Sequence, residues 1–377
     1  MTDQAIRPFS NDPATASACH FIPAMLVLLR SHVAQSLASD DDKGCDTMQE
    51  VHLFTDGMGG DNAPQAPVEG SLEALRRHPK LRITLAGVMD EMRPFLVNID
   101  DVKDRLNLVH TSEVITNHDV PTLAIRQKKD SSIVVGMLSV RGQQTDGFVS
   151  AGSTGAVLAG GMFRLGRISG IERPALAPLL PNGKGHFLLI DCGANVDCRP
   201  EWLVQFGLMG DTYMKHVMAM DMPRVGLVNN GAEAEKGNAV SREAYQLMQQ
   251  AKYHFIGNVE ARDITQDRAD VIVCDGFDGN IILKFMEGVA GTLMGMIKQE
   301  LMIDTRSKLG GLLAKPAFLR VKKLMDYTEV GGAPLLGVQG AVVKAHGSSN
   351  AHAFASALAQ AIKMVDGQLS QAIAQQV

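Results

Sequence analysis

From residue 51 onward, short apolar runs alternate with longer stretches in which apolar positions recur every three or four residues. The short runs are rich in Val, Ile and Leu and end in glycine or a polar residue, as buried parallel strands do. This pattern predicts strands at 51–54, 82–88, 106–110, 132–138, 147–151, 186–193, 224–229, 253–259 and 270–276. It therefore predicts an α/β fold of three layers, α/β/α, around a mostly parallel sheet.

The segment 307–330 breaks this alternation, because it contains no strand pattern and mixes Leu, Phe and Met with many basic residues. It predicts a protruding helical hairpin over about 305–330 that turns near Lys315 and Pro316. Two roles remain open for it, a dimer contact and binding to an anionic membrane surface or acidic partner. The residues proposed for either role are Lys315, Phe318, Arg320, Lys322 and Lys323.

Residues 1–48 precede the first predicted strand and are expected to form an extension, with one helix from near Pro23 to about Leu37. Their apolar run at 21–29 is about half of the roughly 20 residues that a membrane-spanning helix needs. Residues 49–377 are expected to form the catalytic α/β domain.

Composition narrows the functional class. A chain of 377 residues with 45% hydrophobic and 20% charged residues is ordinary for an enzyme, and a net charge of −5 argues against a general nucleic-acid binder. The five cysteines are odd in number and contain no CxxC pair, which argues against a disulfide scaffold or a zinc knuckle. A reducing cytoplasm fits this composition best.

The stretch SAGSTGAVLAGG at 150–161 predicts a strand that turns directly into a helix. A helix N-terminus offers unpaired N–H groups, and glycine lets the backbone close around an anion. We therefore expect Gly152, Ser153, Thr154 and Gly155 to bind a substrate anion, although a simple helix cap would also explain the turn. The pattern is neither a Walker A loop nor GxGxxG, so it does not predict a nucleotide.

The turn DGMGGDNAPQAP at 56–67 has the same strand-to-helix position. Asp56 and Asp61 can orient a substrate group, hold a cation or cap the next helix, and the sequence favours capping for Asp61. Gly59 lies between them and is expected to contact substrate.

Four further turns carry polar side chains after predicted strands, which indicates a shared cleft suited to positioning anions and stabilising an oxyanion. The catalytic candidates are Asp56, Asn229, Lys236, Asp275, Asn280, Lys284 and His346. The further substrate-binding candidates are Asn195, Asp197, Asp278 and Ser348. No GxSxG, HExxH or paired-His set occurs, so an acyl-serine or a zinc hydroxide is not the first expectation, and no metal or cofactor is expected.

An ordered set of motifs closely resembles the acyl-ACP:phosphate acyltransferase (PlsX) family of bacterial phospholipid synthesis. It runs from Val51 to the C-terminal helix and includes DGMGGDNAP, VSAGSTGAVLAGG, GIERPALAPLLP, DCGANVDCRPEWLVQF, EKGN, CDGFDGNIILK and AHGSSN. Two departures are Gly57, where the family more often has Ala, and Ser153, where it more often has Asn. Gly57 preserves the turn, and Ser153 preserves a hydrogen-bond donor.

The resemblance implies transfer of a long-chain fatty acyl group from acyl carrier protein to inorganic phosphate, giving acyl phosphate for a later glycerol-3-phosphate acyltransferase. It also implies a phosphotransacetylase-like or isopropylmalate-dehydrogenase-like fold, a homodimer and peripheral association with the cytoplasmic membrane.

Alternatives are a short-chain phosphotransacetylase acting on acyl-CoA and a non-enzymatic membrane scaffold of lipid synthesis. A nicotinamide-dependent decarboxylase on a similar fold is disfavoured, because this sequence lacks the metal-binding Asp cluster and the Arg set expected of such an enzyme.

Overall fold

Two β-sheets organise residues 50–325 and 331–377, the part of the chain that the computed structural model describes. The helix expected near Pro23 and the end of the segment at 326–330 lie outside the described residues, as do the side chains of Lys322 and Lys323. The strands are β1 (Val51–Asp56), β2 (Leu81–Gly87), β3 (Leu106–His110), β4 (Gly147–Ser150), β5 (Ala175–Leu176), β6 (Leu179–Pro181), β7 (His186–Ile190), β8 (Arg224–Asn229), β9 (His254–Glu260), β10 (Val271–Val273), β11 (Ala333–Leu336) and β12 (Ala341–Lys344).

Helices connect most of these strands. They are α1 (Gln65–Arg77), α2 (Met89–Met92), α3 (Pro121–Gln127), α4 (Ser132–Arg141), α5 (Thr154–Gly160), α6 (Pro200–His216), α7 (Ala239–Met248), α8 (Gly276–Leu301), α9 (Thr305–Met325), α10 (Ala351–Asp366) and α11 (Leu369–Ala374). A π-helical turn, Gly161–Leu165, continues α5.

The first sheet has seven strands in the order β3-β2-β1-β4-β12-β11-β5, and the second has five in the order β6-β7-β10-β8-β9. The strands pair in parallel, except that β11 is antiparallel to both β12 and β5, and β6 is antiparallel to β7. The predicted parallel α/β fold is therefore present, divided between two sheets.

The core explains the layers, because successive strand residues point to opposite faces of a sheet. In β1, Leu53 packs in the largest apolar cluster, which joins both sheets to α1, α6 and α10. The next residue, Phe54, packs on the other face with Phe148 and Met137 of α4. Helices thus cover both faces of the sheet, and the three-layer prediction is confirmed.

One predicted strand is wrong. Residues 132–138 lie in α4, which begins where the Ser131 hydroxyl accepts a hydrogen bond from the Val134 N–H. A short apolar run rich in Val and Ile is compatible with a buried strand and with a buried helix, and here the cap selects the helix. Four strands were not predicted, namely β5, β6, β11 and β12, and these are short strands that take part in the antiparallel pairs.

The predicted turn of the hairpin is also wrong. Its arms are α8 and α9, and the turn lies between Leu301 and Thr305, where Asp304 accepts a hydrogen bond from the Ser307 N–H at 2.9 Å. Pro316 lies inside α9 instead of ending it. An interior proline removes one backbone hydrogen bond and its ring crowds the carbonyl four residues earlier, yet α9 continues through this position.

We predict that Gly136→Ala destabilises the fold by about 1–3 kcal/mol, because its Cβ would lie 2.5 Å from the Phe148 ring and 2.6 Å from Phe54. Urea unfolding of both proteins measures the change. Gly288→Ala is the control, since nothing lies within 4 Å of its Cβ and alanine favours helix. Equal losses in the two variants would contradict the prediction.

Candidate active site

The carboxyl ends of β1, β4 and β12 lie side by side at one edge of the seven-stranded sheet. The loops that follow them contact one another: the Asp61 N–H donates to the Gly347 carbonyl at 2.7 Å, and the Asn62 amide donates to the Ser348 and Ser349 carbonyls at 3.1 Å. We call residues 56–62, 150–155 and 344–349 the first loop cluster.

Nine predicted residues fall in this cluster, together with a residue that sequence reasoning missed, Lys344. The nine are Asp56, Gly59, Asp61, Gly152, Ser153, Thr154, Gly155, His346 and Ser348.

The Asp56 carboxylate holds the cluster together. It is buried, and it accepts hydrogen bonds from the hydroxyls of Ser132 and Ser150, both at 2.6 Å, and from the Met58 N–H at 3.0 Å. The Ser150 hydroxyl in turn accepts from the Gly152 N–H at 2.9 Å. These contacts favour a positioning role for Asp56 over direct contact with substrate.

Glycine allows the loops to approach this closely. A Cβ on Gly59 would overlap the Asp56 carboxylate and lie 2.5 Å from the Gly152 nitrogen. Gly60 has a φ of +100°, in the region that favours glycine, and its Cβ would lie 2.9 Å from the Ala151 side chain. The glycines of the two turns therefore serve the contact between loops.

Lys344 ends β12 and carries a buried amino group, with 7% of the residue exposed. Its Nζ donates to the carbonyl groups of Ala151, at 3.3 Å, and Ala345. Burial lowers the pKa of Lys344 from 10.5 to about 8, against the opposing effect of the Asp56 and Asp61 carboxylates. Lys344 was not singled out from the sequence, because no strand was predicted at 341–344.

Two predicted caps are absent from their helices. Asp61 does not cap α1, because Pro64 occupies the cap position and no side chain bonds the helix there. Ser153 precedes α5 without capping it, so its hydroxyl does not satisfy the first amides of that helix. Thr154 is exposed at the helix start, and Gly155 packs against Pro121.

His346 and Ser348 form a local pair on the third loop of the cluster. The His346 Nδ1 lies 2.8 Å from the Ser348 hydroxyl, and it accepts a hydrogen bond from the Ser348 N–H at 3.2 Å. Because the Nδ1 accepts from the Ser348 N–H, the Ser348 hydroxyl is the donor in its contact with the Nδ1, and the imidazole proton lies on Nε2.

The other predicted residues follow strands of the five-stranded sheet, where β7, β10 and β8 are neighbours. We call residues 191–198, 229–238 and 274–284 the second loop cluster. It contains Asn195, Asp197, Asn229, Lys236, Asp275, Asp278, Asn280 and Lys284.

Asp191 organises this second cluster. Its buried carboxylate accepts from the backbone N–H groups of Leu176 (2.9 Å) and Asn195 (2.6 Å) and from the Asn195 side-chain amide (3.0 Å). Burial raises the pKa of Asp191 to about 6, although these donors act in the opposite direction. The Asn195 amide also donates to the Pro174 carbonyl at 2.8 Å, so it is a structural link between the turn and the preceding loop.

Asp275 caps α8, because its carboxylate accepts from the Asp278 N–H at 2.8 Å. Burial and the charge of Asp275 raise the pKa of the Asp278 carboxyl. Asn280 lies beside Gly193, whose Cβ would be 3.7 Å from it, while Asp197 and Lys284 are exposed.

Asn229 closes its own loop: its amide donates to the Lys236 carbonyl at 3.2 Å, and its oxygen accepts from the Asn230 N–H at 2.9 Å. The Lys236 side chain is exposed. None of the hydrogen bonds given for the two clusters joins a residue of the first cluster to a residue of the second. Within the described residues, no three His, Cys, Asp or Glu side chains form a group that could hold a metal ion.

The fold resembles that of solved phosphotransacetylases. The chain resembles the crystal structure of a phosphotransacetylase from Streptococcus pyogenes, with a TM-score of 0.54 and 16% identity over 86% of this chain and 94% of that one. It also resembles the EutD phosphotransacetylase from Staphylococcus aureus, with a TM-score of 0.52 and 14% identity over 86% and 94%. At these identities the likeness concerns the fold alone.

Sequence comparison identifies the family. The model of the family described as fatty acid synthesis protein matches residues 51–372, and the chain belongs to this family. A phosphate acyltransferase of Alkaliphilus oremlandii (strain OhILAs) is 48% identical over 87% of this chain and 97% of its own length. A phosphate acyltransferase of Shouchella clausii (strain KSM-K16) is 45% identical over 87% and 98%. The resemblance drawn from the ordered motifs is thereby confirmed.

We predict that the buried charge of Lys344 makes stability depend on pH. Between about pH 8 and 10.5 the unfolded chain binds more protons at this lysine than the folded protein does, so the free energy of unfolding rises with pH. Lys344→Met removes this contribution, and its stability relative to the parent should be highest below pH 8 and fall towards pH 10.5. Urea unfolding at four pH values measures this difference, and a difference that is constant with pH would contradict the prediction.

Proposed function

We propose that this protein transfers a long-chain fatty acyl group from acyl carrier protein to inorganic phosphate, forming acyl phosphate for phospholipid synthesis. The observation that carries the proposal is the identity of 45–48% with two proteins named phosphate acyltransferase, along nearly their whole length. The donor protein and the later use of the product by a glycerol-3-phosphate acyltransferase come from the motif resemblance.

The first loop cluster supports phosphate binding. Thr154 is exposed at the start of α5, the Ser153 hydroxyl is not used as a cap, and the Lys344 amino group supplies a buried positive charge between the loops. Backbone amides, hydroxyls and an ammonium group are the donors that bind phosphate in proteins.

The reaction needs orientation and charge stabilisation from the protein. A phosphate oxygen attacks the thioester carbonyl carbon, the carbon–sulfur bond breaks, and the thiolate leaves and takes up a proton. His346, beside Ser348, and Lys236 are the proposed groups for holding charge and moving that proton. Asp56, Asp275 and Asn229 position the loops around them.

The purified protein tests this proposal when it is supplied with labelled phosphate and either a long-chain acyl carrier protein thioester or a short-chain acyl-CoA. Acyl phosphate from the first donor supports the proposal. Turnover only with acyl-CoA would favour a phosphotransacetylase, and no turnover with either would favour a membrane scaffold.

We predict that Thr154→Val raises the KM for phosphate about tenfold, because the hydroxyl is a donor to the anion. Thr305→Val is the control, since Thr305 is also an exposed first residue of a helix but lies on the hairpin. Unchanged kinetics in Thr154→Val would remove this turn from the phosphate site.

We further propose that the hairpin of α8 and α9 forms the homodimer contact and holds the protein at the cytoplasmic face of the membrane. On α8, exposed apolar side chains recur every four residues at Phe277, Ile281, Phe285, Val289 and Leu293, which places them on one side of the helix. By length and composition alone, α8 is also long and apolar enough to cross a membrane. A second copy of the chain can cover such a stripe.

Membrane contact is proposed for α9 and the turn before it. Leu309, Leu312 and Leu313 are at least 61% exposed, and Met302 and Ile303 in the turn are 58% and 66% exposed. A cavity of about 560 Å³ between the two helices is lined by Phe318 together with Lys298, Lys308 and Lys315. Apolar side chains beside lysines are suited to a membrane with anionic headgroups.

We predict that Lys315→Glu together with Arg320→Glu weakens binding to anionic vesicles at least about tenfold, because each basic residue contributes about 1 kcal/mol at such a surface. Vesicle sedimentation measures binding, and size-exclusion chromatography with light scattering measures the dimer, which should persist. Lys103→Glu, on an exposed lysine far along the chain, is the matched control. Undiminished sedimentation of the double variant would leave the hairpin without a membrane role.

A further inference from the structure

A cavity of about 490 Å³ outside both loop clusters combines arginine side chains with the exposed Phe163 and the half-buried Trp202. Its walls are formed by Phe163, Arg167, Glu172, Arg173, Arg199 and Trp202. None of these residues was assigned a role above.

Trp202 is the fixed floor of this cavity. Its indole N–H donates to the Glu172 carboxylate at 2.7 Å, which orients the ring. The guanidinium groups of Arg173 and Arg199 lie over that ring, at 4.7 and 5.6 Å from its centroid. A guanidinium that stacks on a ring keeps N–H donors at its edge for a carboxylate or phosphate, and the stacking limits the entropy lost on binding.

The charge of the cavity opposes that of the chain. Three guanidinium groups face one carboxylate, and that carboxylate is already bonded to Trp202, whereas the whole chain carries −5. Arg167 also donates to the Glu172 backbone carbonyl, which holds the loop against the cavity. The positive charge of the cavity therefore favours an anionic ligand.

The cavity is connected to both loop clusters through the chain. Arg199 directly follows the 191–198 segment of the second loop cluster and precedes α6, and Arg173 is adjacent to Pro174, whose carbonyl accepts from Asn195. Phe163 lies in the turn that continues α5, the helix that begins at Thr154. A partner bound here is placed beside the elements that carry the candidate active site.

We propose that this cavity, the arginine–tryptophan pocket, is the docking point for an acidic surface of the protein that carries the acyl group. The inference rests on the proposed function, since it names where that donor binds. Phe163 is 62% exposed at the rim, and exposed aromatic residues beside arginine are the side chains that anchor protein interfaces. A small anion gains nothing from contact with the apolar Phe163 ring, so the rim favours a protein ligand over free phosphate.

The test compares two acyl donors that carry the same decanoyl chain, one on acyl carrier protein and the other on neutral N-acetylcysteamine. Arg199→Glu should raise the KM for the carrier-bound donor about tenfold or more, the effect of losing a central interface arginine, with kcat little changed. The KM for the small donor and for phosphate should stay at the parent value. Arg199→Lys should show a smaller effect, because it keeps the charge without the planar group, and Lys103→Glu should show none.

Several outcomes would overturn the docking proposal. The first is an unchanged KM of Arg199→Glu for the carrier-bound donor, and the second is an equal rise in the KM for both donors. The third is a raised KM for phosphate alone, which would indicate a small-anion site. If the parent turns over neither donor, the proposed function fails, and calorimetric titration of the acylated carrier still tests docking. Binding that is about tenfold weaker in Arg199→Glu would then support the pocket, and equal binding would overturn it.

Discussion

The buried carboxylate of Asp56 is the interaction on which the first loop cluster depends. It accepts hydrogen bonds from the hydroxyls of Ser132 and Ser150, so it joins the end of β1 to α4 and to the end of β4. The neighbouring Lys344 balances its charge in a buried environment. Removing one member of such a group leaves buried polar atoms without partners, which costs more than the original contacts contribute.

The second loop cluster is also organised by a buried carboxylate that accepts several hydrogen bonds, in this case Asp191. Asp191 collects backbone and amide donors from two loops, and Asp275 starts the long helix α8. The hairpin therefore emerges directly from the candidate active site, which connects its proposed membrane contact to the place where an acyl chain would react. In sequence, the residues of the arginine–tryptophan pocket lie between the 150–155 turn and the start of α8. The proposed sites for the acyl donor, the phosphate and the membrane are therefore on successive segments of one domain.

Periodicity predicted the α/β class and the places where strands become helices, because strands buried between two helix layers are continuous apolar runs in the sequence. It was wrong at 132–138, where the Ser131 cap makes the run a helix, and at Pro316, which lies within α9. It also missed β5, β6, β11 and β12, the short strands that take part in the antiparallel pairs. The family was identified from the ordered motifs, because the pattern of apolar residues carries no information about the family.

The sequence by itself determined which turns would carry polar side chains, since glycine, serine and aspartate at strand ends have strong local preferences. Tertiary structure alone decided their grouping into two clusters, the division of the strands between two sheets and the burial of Lys344. It also converted the expected cap Asp61 into a loop contact. These features depend on contacts between residues far apart in the chain, such as Asp61 with Gly347, and local propensity carries no information about such contacts.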